Sequence, residues 1–157
     1  MKSKHILIVG GTGFIGYHLA KFLLKKKYLI TSLSTKNPPK RRKLKKVIYI
    51  KEDINKIRKI IKIKDKFKYV INVAGYVDHT NKKLTYNSHF KGCANLVKIF
   101  RDTKIDSFLQ VGSSLEYGKL SSPQYENDGL KPISYYGKSK FLATKFLLKN
   151  FSFATLA

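Results

Sequence analysis

His5-Ile6-Leu7-Ile8-Val9, followed at once by Gly10-Gly11-Thr12-Gly13-Phe14-Ile15-Gly16, is the stretch that decides the fold. A short apolar run closed by glycines suits a strand buried on both faces of a parallel sheet. The glycines at 10, 13 and 16 let the backbone turn tightly and approach a pyrophosphate, and the last lets a helix pack on the strand. The helix that follows offers unpaired N–H groups and a positive dipole end. With 10 glycines in 157 residues, chance supplies only about 0.04 triplets of this spacing. The turn therefore reads as a dinucleotide phosphate site rather than a merely tight bend.

Outward from that turn, strand-like and helix-like segments alternate. Ile15, Leu19, Phe22 and Leu23 give the apolar side of a first helix, and Tyr28 to Leu33 reads as a second strand. Pro38-Pro39 breaks the chain, Val47 to Ile50 makes a third strand, and Ile54, Ile57 and Ile61 predict an amphipathic helix. Tyr69 to Val73 is a fourth strand. A helix over 86–103 shows Phe90, Ala94, Val97 and Phe100 on its apolar side. Phe108 to Val111 is a fifth strand, a helix runs from about Tyr135 to Lys149, and 151–157 opens a sixth strand. Five βα units in succession imply an α/β fold: a Rossmann-like doubly wound parallel sheet with helices on both faces, five full strands and a partial sixth. Residues 1–157 read as one NAD(P)-binding domain.

The composition narrows the function classes. Lys and Arg number 33 against 9 Asp and Glu, a formal charge of +24, with 43% hydrophobic residues. That hydrophobic fraction supports an ordinary core and argues against intrinsic disorder. The basic residues are almost all Lys and spread evenly, whereas phosphate and base readers favour the bidentate fork of Arg, so nucleic acid is not the expected partner. No run approaches the length of a membrane span, and Cys93 with scattered histidines shows no metal-ligand spacing. The expectation is a cytoplasmic, metal-free protein without a membrane partner.

The remaining chemistry-bearing residues follow the fourth and fifth strands. Tyr136 and Lys140 are four apart, on one helix face, so the ammonium sits near the phenol. A phenol is a poor base at neutral pH, and a neighbouring cation favours its phenolate. Chance predicts roughly two Tyr-x-x-x-Lys pairs here, and two occur, at Tyr17 and Tyr136. Position selects Tyr136, which starts the helix after the fifth strand, behind Gly112-Ser113-Ser114-Leu115-Glu116-Tyr117-Gly118.

Taken with the glycine turn, Asp53-Ile54 and Asn72-Val73-Ala74-Gly75, these motifs resemble the extended short-chain dehydrogenase/reductase proteins, the NAD-dependent epimerase/dehydratase family acting mostly on nucleotide sugars. The resemblance covers essentially the whole chain. It implies hydride transfer between a nicotinamide and a sugar carbon, by epimerisation or keto-sugar reduction, with a nucleotide sugar as substrate. By the same resemblance Tyr136 is the general acid/base, Lys140 also holds the nicotinamide ribose, and Ser113 bonds the substrate oxygen, with Ser114 as fallback. The implied cofactor residues are Gly10, Thr12, Gly13, Phe14, Ile15, Gly16, Ser34, Lys36, Asp53, Ile54, Val73, Ala74, Gly75, Tyr136 and Lys140. Helices at about 86–103 and 136–150 are those that form a homodimer bundle in related enzymes.

Departures from the pattern refine this picture. No acidic residue occurs between Gly16 and Glu52, where an NAD-preferring fold places one for the adenosine ribose. Ser34, Thr35 and Lys36, with Arg41 or Arg42, instead favour a 2′-phosphate, so NADP is expected over NAD. Ser114-Leu115-Glu116 lacks the Asp-Glu pair of the dehydratases. His89 stands three residues before Gly92, where relatives often carry Asn; it is either a proton-relay member or a structural histidine. Relatives are also about twice as long, with a C-terminal substrate domain expected to be absent here. The alternative reading is therefore a catalytically incomplete NADP-binding sensor or scaffold.

Overall fold

The computed structural model describes residues 4–119, 121–125, 128, 130–151 and 155–156. Of the expected sixth strand, residues 152–154 and 157 lie outside the described residues. The strands are β1 (His5–Val9), β2 (Leu29–Ser34), β3 (Val47–Lys51), β4 (Tyr69–Asn72), β5 (Ser107–Gln110) and β6 (Thr155–Leu156). The helices are α1 (Phe14–Lys25), α2 (Lys59–Ile63), α3 (Lys82–Tyr86), α4 (Gly92–Phe100) and α5 (Tyr135–Asn150). All strand pairs are parallel, in the order β3-β2-β1-β4-β5-β6. This is the doubly wound Rossmann-like sheet, and its strand order reverses between β1 and β4.

Alternation along β1 builds both sides of the molecule. Ile6 and Ile8 pack with Ala20, Ile30 and Val47 on one face of the sheet. Leu7 and Val9 face the other way, into a larger core with Val70, Phe108, Leu96, Phe100 and Leu147. A strand with four successive buried side chains, Ile6 to Val9, must be central, and β1 is. Among the described residues, no helix is long and apolar enough to cross a membrane.

Three sequence expectations are corrected. In α1, Ile15 and Phe22 are exposed, at 58% and 55%, and the residues buried against the sheet are Gly16 and Ala20. Small residues form the contact because the helix start lies almost on the β1 turn: a Cβ on Gly16 would collide with the Gly10 carbonyl oxygen. The helix predicted from Ile54, Ile57 and Ile61 is only α2, beginning at Lys59. Ile54 and Ile57 are buried from an irregular segment, Ile60 supplies the helical contact, and Ile61 is 48% exposed. The helix expected over 86–103 instead spans 82–100 in three parts, α3, a π turn at Asn87–Lys91, and α4.

Phe100 is fully buried and meets Phe67 edge-on. Phe100→Ala is expected to cost about 3–5 kcal/mol, whereas Phe22→Ala should stay within about 0.5–1 kcal/mol despite its place in the sequence stripe. Urea unfolding of the two variants checks both values.

Candidate active site

The glycine turn after β1 packs backbone against backbone at Gly10. Gly10 has φ +85°, a conformation that costs a side-chain-bearing residue energy, and a Cβ there would come within 2.8 Å of the Ala74 backbone nitrogen. The Gly13 N–H donates to the Gly10 oxygen at 3.0 Å, and the Thr12 N–H donates to Ser34 Oγ at 3.2 Å. The loops after β1, β2 and β4 are thus drawn together at the carboxyl edge of the sheet, where the strand order reverses. They enclose a cleft of about 520 Å³.

Gly10, Thr12 and Gly13 line that cleft from the first loop, Ser34 from the second, Asp53 and Ile54 from the third, and Val73, Ala74 and Gly75 from the fourth. Thr35 lines it as well. Gly16 lies behind the turn, buried, while Phe14, Ile15 and Lys36 are exposed outside the lining. Arg42 stands near the start of α1, its guanidinium carbon 5.8 Å from the Phe14 ring and 5.9 Å from that of Tyr17. Glu52, Tyr76, Asn87 and Ser88 line the cleft too, and none of them was a sequence candidate for the cofactor. The Glu52 carboxylate is engaged by the Arg58 and Lys59 amides at the start of α2, with its nearest contact at 2.9 Å.

Tyr136, Lys140 and Ser113 sit beyond the cleft lining, gathered around the first turns of α5. Ser134 caps that helix by accepting from the Gly137 N–H at 2.9 Å. Lys140 is 5% exposed; its Nζ donates to the Val111 oxygen at 2.6 Å and lies 6.0 Å from the centre of the Tyr136 ring. Burial pushes the Lys140 ammonium below its ordinary pKa, while Glu116 and Cys93 act in the opposite sense. Ser113 caps a single 3-10 turn, Ser114–Glu116: its Oγ accepts from the Leu115 N–H at 3.2 Å and its own N–H donates to Glu116 Oε1 at 2.9 Å. A Cβ on Gly137 would touch the Leu115 oxygen, so this turn and α5 pack backbone to backbone.

Two imidazoles bracket the Tyr136 ring. His79 stacks on it with centroids 4.0 Å apart, and His89 meets it edge-on at 4.9 Å. His89 lies in the π turn, 5% exposed, with Nε2 3.2 Å from the Tyr76 oxygen. A carbonyl only accepts, so Nε2 carries the hydrogen and Nδ1 the lone pair. That Nδ1 is buried with no hydrogen-bond partner among the described residues. Burial, then the Lys140 charge, pushes His89 down to about 4, so it is neutral at neutral pH. His89 thereby joins the cleft-lining Tyr76 to the Tyr136 ring. Sequence spacing alone gave no signal for His79; for Glu116 the Ser-x-x-Glu capping pattern was the available signal.

Comparison with known proteins agrees with this fold. The pattern of the NAD dependent epimerase/dehydratase family matches residues 6–151. A Methanocaldococcus jannaschii protein named "Putative UDP-glucose 4-epimerase" is 28% identical over 90% of this chain, which spans 49% of that protein. The chain thus covers about half the length of the curated relatives it matches. Among solved structures, the UDP-glucuronic acid 4-epimerase of Bacillus cereus in complex with NAD superposes with TM-score 0.82 at 23% identity, over 97% of this chain and 54% of that one. The Bordetella bronchiseptica enzyme WbmG in complex with NAD does so with TM-score 0.86 at 20% identity, over 99% and 52%. With its family pattern spanning nearly the whole length, the chain belongs to the NAD dependent epimerase/dehydratase family.

Proposed function

We propose that this chain is the dinucleotide-binding and proton-transfer half of a nucleotide-sugar epimerase. The observation that supports this most is the side-chain-free Gly10 turn at the floor of a 520 Å³ cleft, placed where the strand order reverses. A bound dinucleotide supplies a hydride acceptor that later returns the hydride to the other face of the sugar carbon. Gly10 to Gly13 hold its pyrophosphate, Asp53 and Ile54 its adenine end, and Val73 to Gly75 the stretch leading toward Tyr136. The relatives' names favour a UDP-sugar as substrate and epimerisation as the reaction.

The chain's own residues then divide the proton work. Ser113 presents its hydroxyl to the substrate oxygen, Tyr136 takes and returns the hydroxyl proton, and Lys140 supplies positive charge beside the phenol. His89, held neutral, offers Nδ1 as an acceptor at the wall of this site. Ser114 has no part in this scheme. The same helices, α4 and α5, are proposed to pair with a second copy.

The cofactor is NAD or NADP, with NADP favoured. Ser34 itself, rather than a carboxylate, occupies the end of β2, Arg42 stands near the start of α1, and Lys36 is exposed just past β2. NADPH at about 100 times its Kd is expected to add about 2.7 kcal/mol of stability. NADH should bind more weakly, and Arg42→Ala should remove most of the difference. Calorimetric titration with the two nucleotides decides this, and binding of neither excludes the proposed function.

Tyr136→Phe is expected to lower turnover of a UDP-sugar by about 10²-fold or more while leaving the dinucleotide Kd nearly unchanged. Turnover that survives the substitution assigns the proton step elsewhere.

His89 gives a pH signature. Its folded-state pKa of about 4 lies below the ordinary histidine value, so protonation favours the unfolded chain. The stability it permits is fully present above about pH 6.5 and is lost progressively as pH falls toward 4. Between pH 7 and 4 the wild type should lose on the order of 2 kcal/mol more than His89→Gln, read from urea midpoints at each pH.

A further inference from the structure

Tyr136, Lys140 and Thr144 lie at i, i+4 and i+8, one stripe along α5. Glu116 connects the far end of that stripe to the serine turn. The carboxyl is 4% exposed; Oε2 accepts from Thr144 Oγ1 at 2.7 Å and Oε1 accepts from the Ser113 N–H at 2.9 Å. Two accepting oxygens and no donated hydrogen is the pattern of an ionised carboxylate.

We propose that Glu116 is a positioning residue for the Ser113, Tyr136 and Lys140 site, clamping the Ser113 turn onto α5 and serving as the buried counter-charge of Lys140. The proposal rests on reading those three residues as the reactive set.

A buried carboxylate and a buried ammonium are each costly unless compensated. Here each satisfies its hydrogen bonds on neutral partners, Lys140 on the Val111 oxygen and Glu116 on Ser113 and Thr144. Among the described residues neither charge is in direct ionic contact, and each feels the other across a buried interior where attraction is stronger than in water. The groups facing Lys140 are Glu116 from the serine turn, the buried Cys93 thiol from α4, His89 from the π turn and Tyr136 on its own helix. Burial pushes the Cys93 thiol up to about 12, so it stays neutral, as His89 does. Glu116 is thus the negative charge of this group. With both oxygens occupied and almost no exposure, it positions its neighbours rather than meeting substrate.

The test uses the chain labelled with 13C at lysine Cε, with the Lys140 signal identified by its loss in Lys140→Met. Glu116→Gln keeps the shape and removes the charge, and the Lys140 titration midpoint should fall by about one unit, a tenfold loss of proton affinity. Thr144→Ala keeps the charge and removes one clamp; the midpoint should stay within about 0.3 unit while the Ser113 and Leu115 amides exchange at least about fivefold faster. An unmoved midpoint in folded Glu116→Gln overturns the proposal. If Glu116→Gln does not fold, unchanged amide exchange in Thr144→Ala overturns it. Neither readout needs nucleotide, so failure to bind both NADH and NADPH would sink the proposed function without touching this result, and the reverse holds equally.

Discussion

The structure depends on the close approach of two backbones at the carboxyl ends of β1 and β4. Gly10 lies against Val73 and Ala74, and Gly16 lies against Gly10 and Gly11, with no room for a side chain at either glycine. This contact fixes where α1 starts, how it lies on β1 and how far apart the adjacent loops stand. Buried polar side chains brace it from below. Asn72 donates to Gln110 Oε1 at 2.7 Å and accepts from the Ala74 N–H at 3.2 Å, linking the ends of β4 and β5 to the loop that faces the glycine turn. A side-chain amide pair inside a sheet is tolerated because each member is satisfied, and it holds two loops in register.

How much of this the sequence shows varies with the kind of information each feature needs. The β1 turn was legible because its constraint is local: glycine is required by the chain's own geometry, whatever packs around it. The helix over 135–149 was legible from its place after the fifth strand and the Tyr136 to Lys140 spacing, and it is found at Tyr135–Asn150. Hydrophobic spacing located α1 and its packed Leu19 and Leu23, but it missed that the closest approach to the sheet is made by Gly16 and Ala20 while Ile15 and Phe22 face solvent. Ile54 and Ile57 misled in the opposite way: their spacing of three is helical, yet they are buried from an irregular segment that wraps the rim of the core. The π turn has no sequence signature at all, and it is the feature that places His89 beside Tyr136.

The proposed reactive groups illustrate the same limit. Tyr136 and Lys140 are a local pair on one helix and could be read from spacing plus position. Glu116 shares a legible Ser-x-x-Glu turn with Ser113, but its link to Thr144 joins residues 28 apart and exists only once α5 packs on that turn. Its departure from the dehydratase pattern was visible in the sequence; the use made of the departure was not.

The scarcity of acidic residues makes their placement informative. The chain has 9 of them against 33 basic residues, and any carboxylate left on the surface would find an abundance of lysines. The ion pairs that do form among the described residues, Lys4 with Asp106 and Arg101 with Asp102, are well exposed and so contribute little. Glu52, by contrast, secures the amides that begin α2, and Glu116 is withdrawn almost completely from solvent into a network of neutral donors. A surface carboxylate near this much positive charge would be screened by water and salt, whereas one carboxylate held in a dry site acts on one lysine. Excess lysine outside and, among the described residues, a single buried acid inside therefore do not conflict. The first sets how the surface meets its surroundings, and the second acts on the Lys140 ammonium that lies beside the Tyr136 ring.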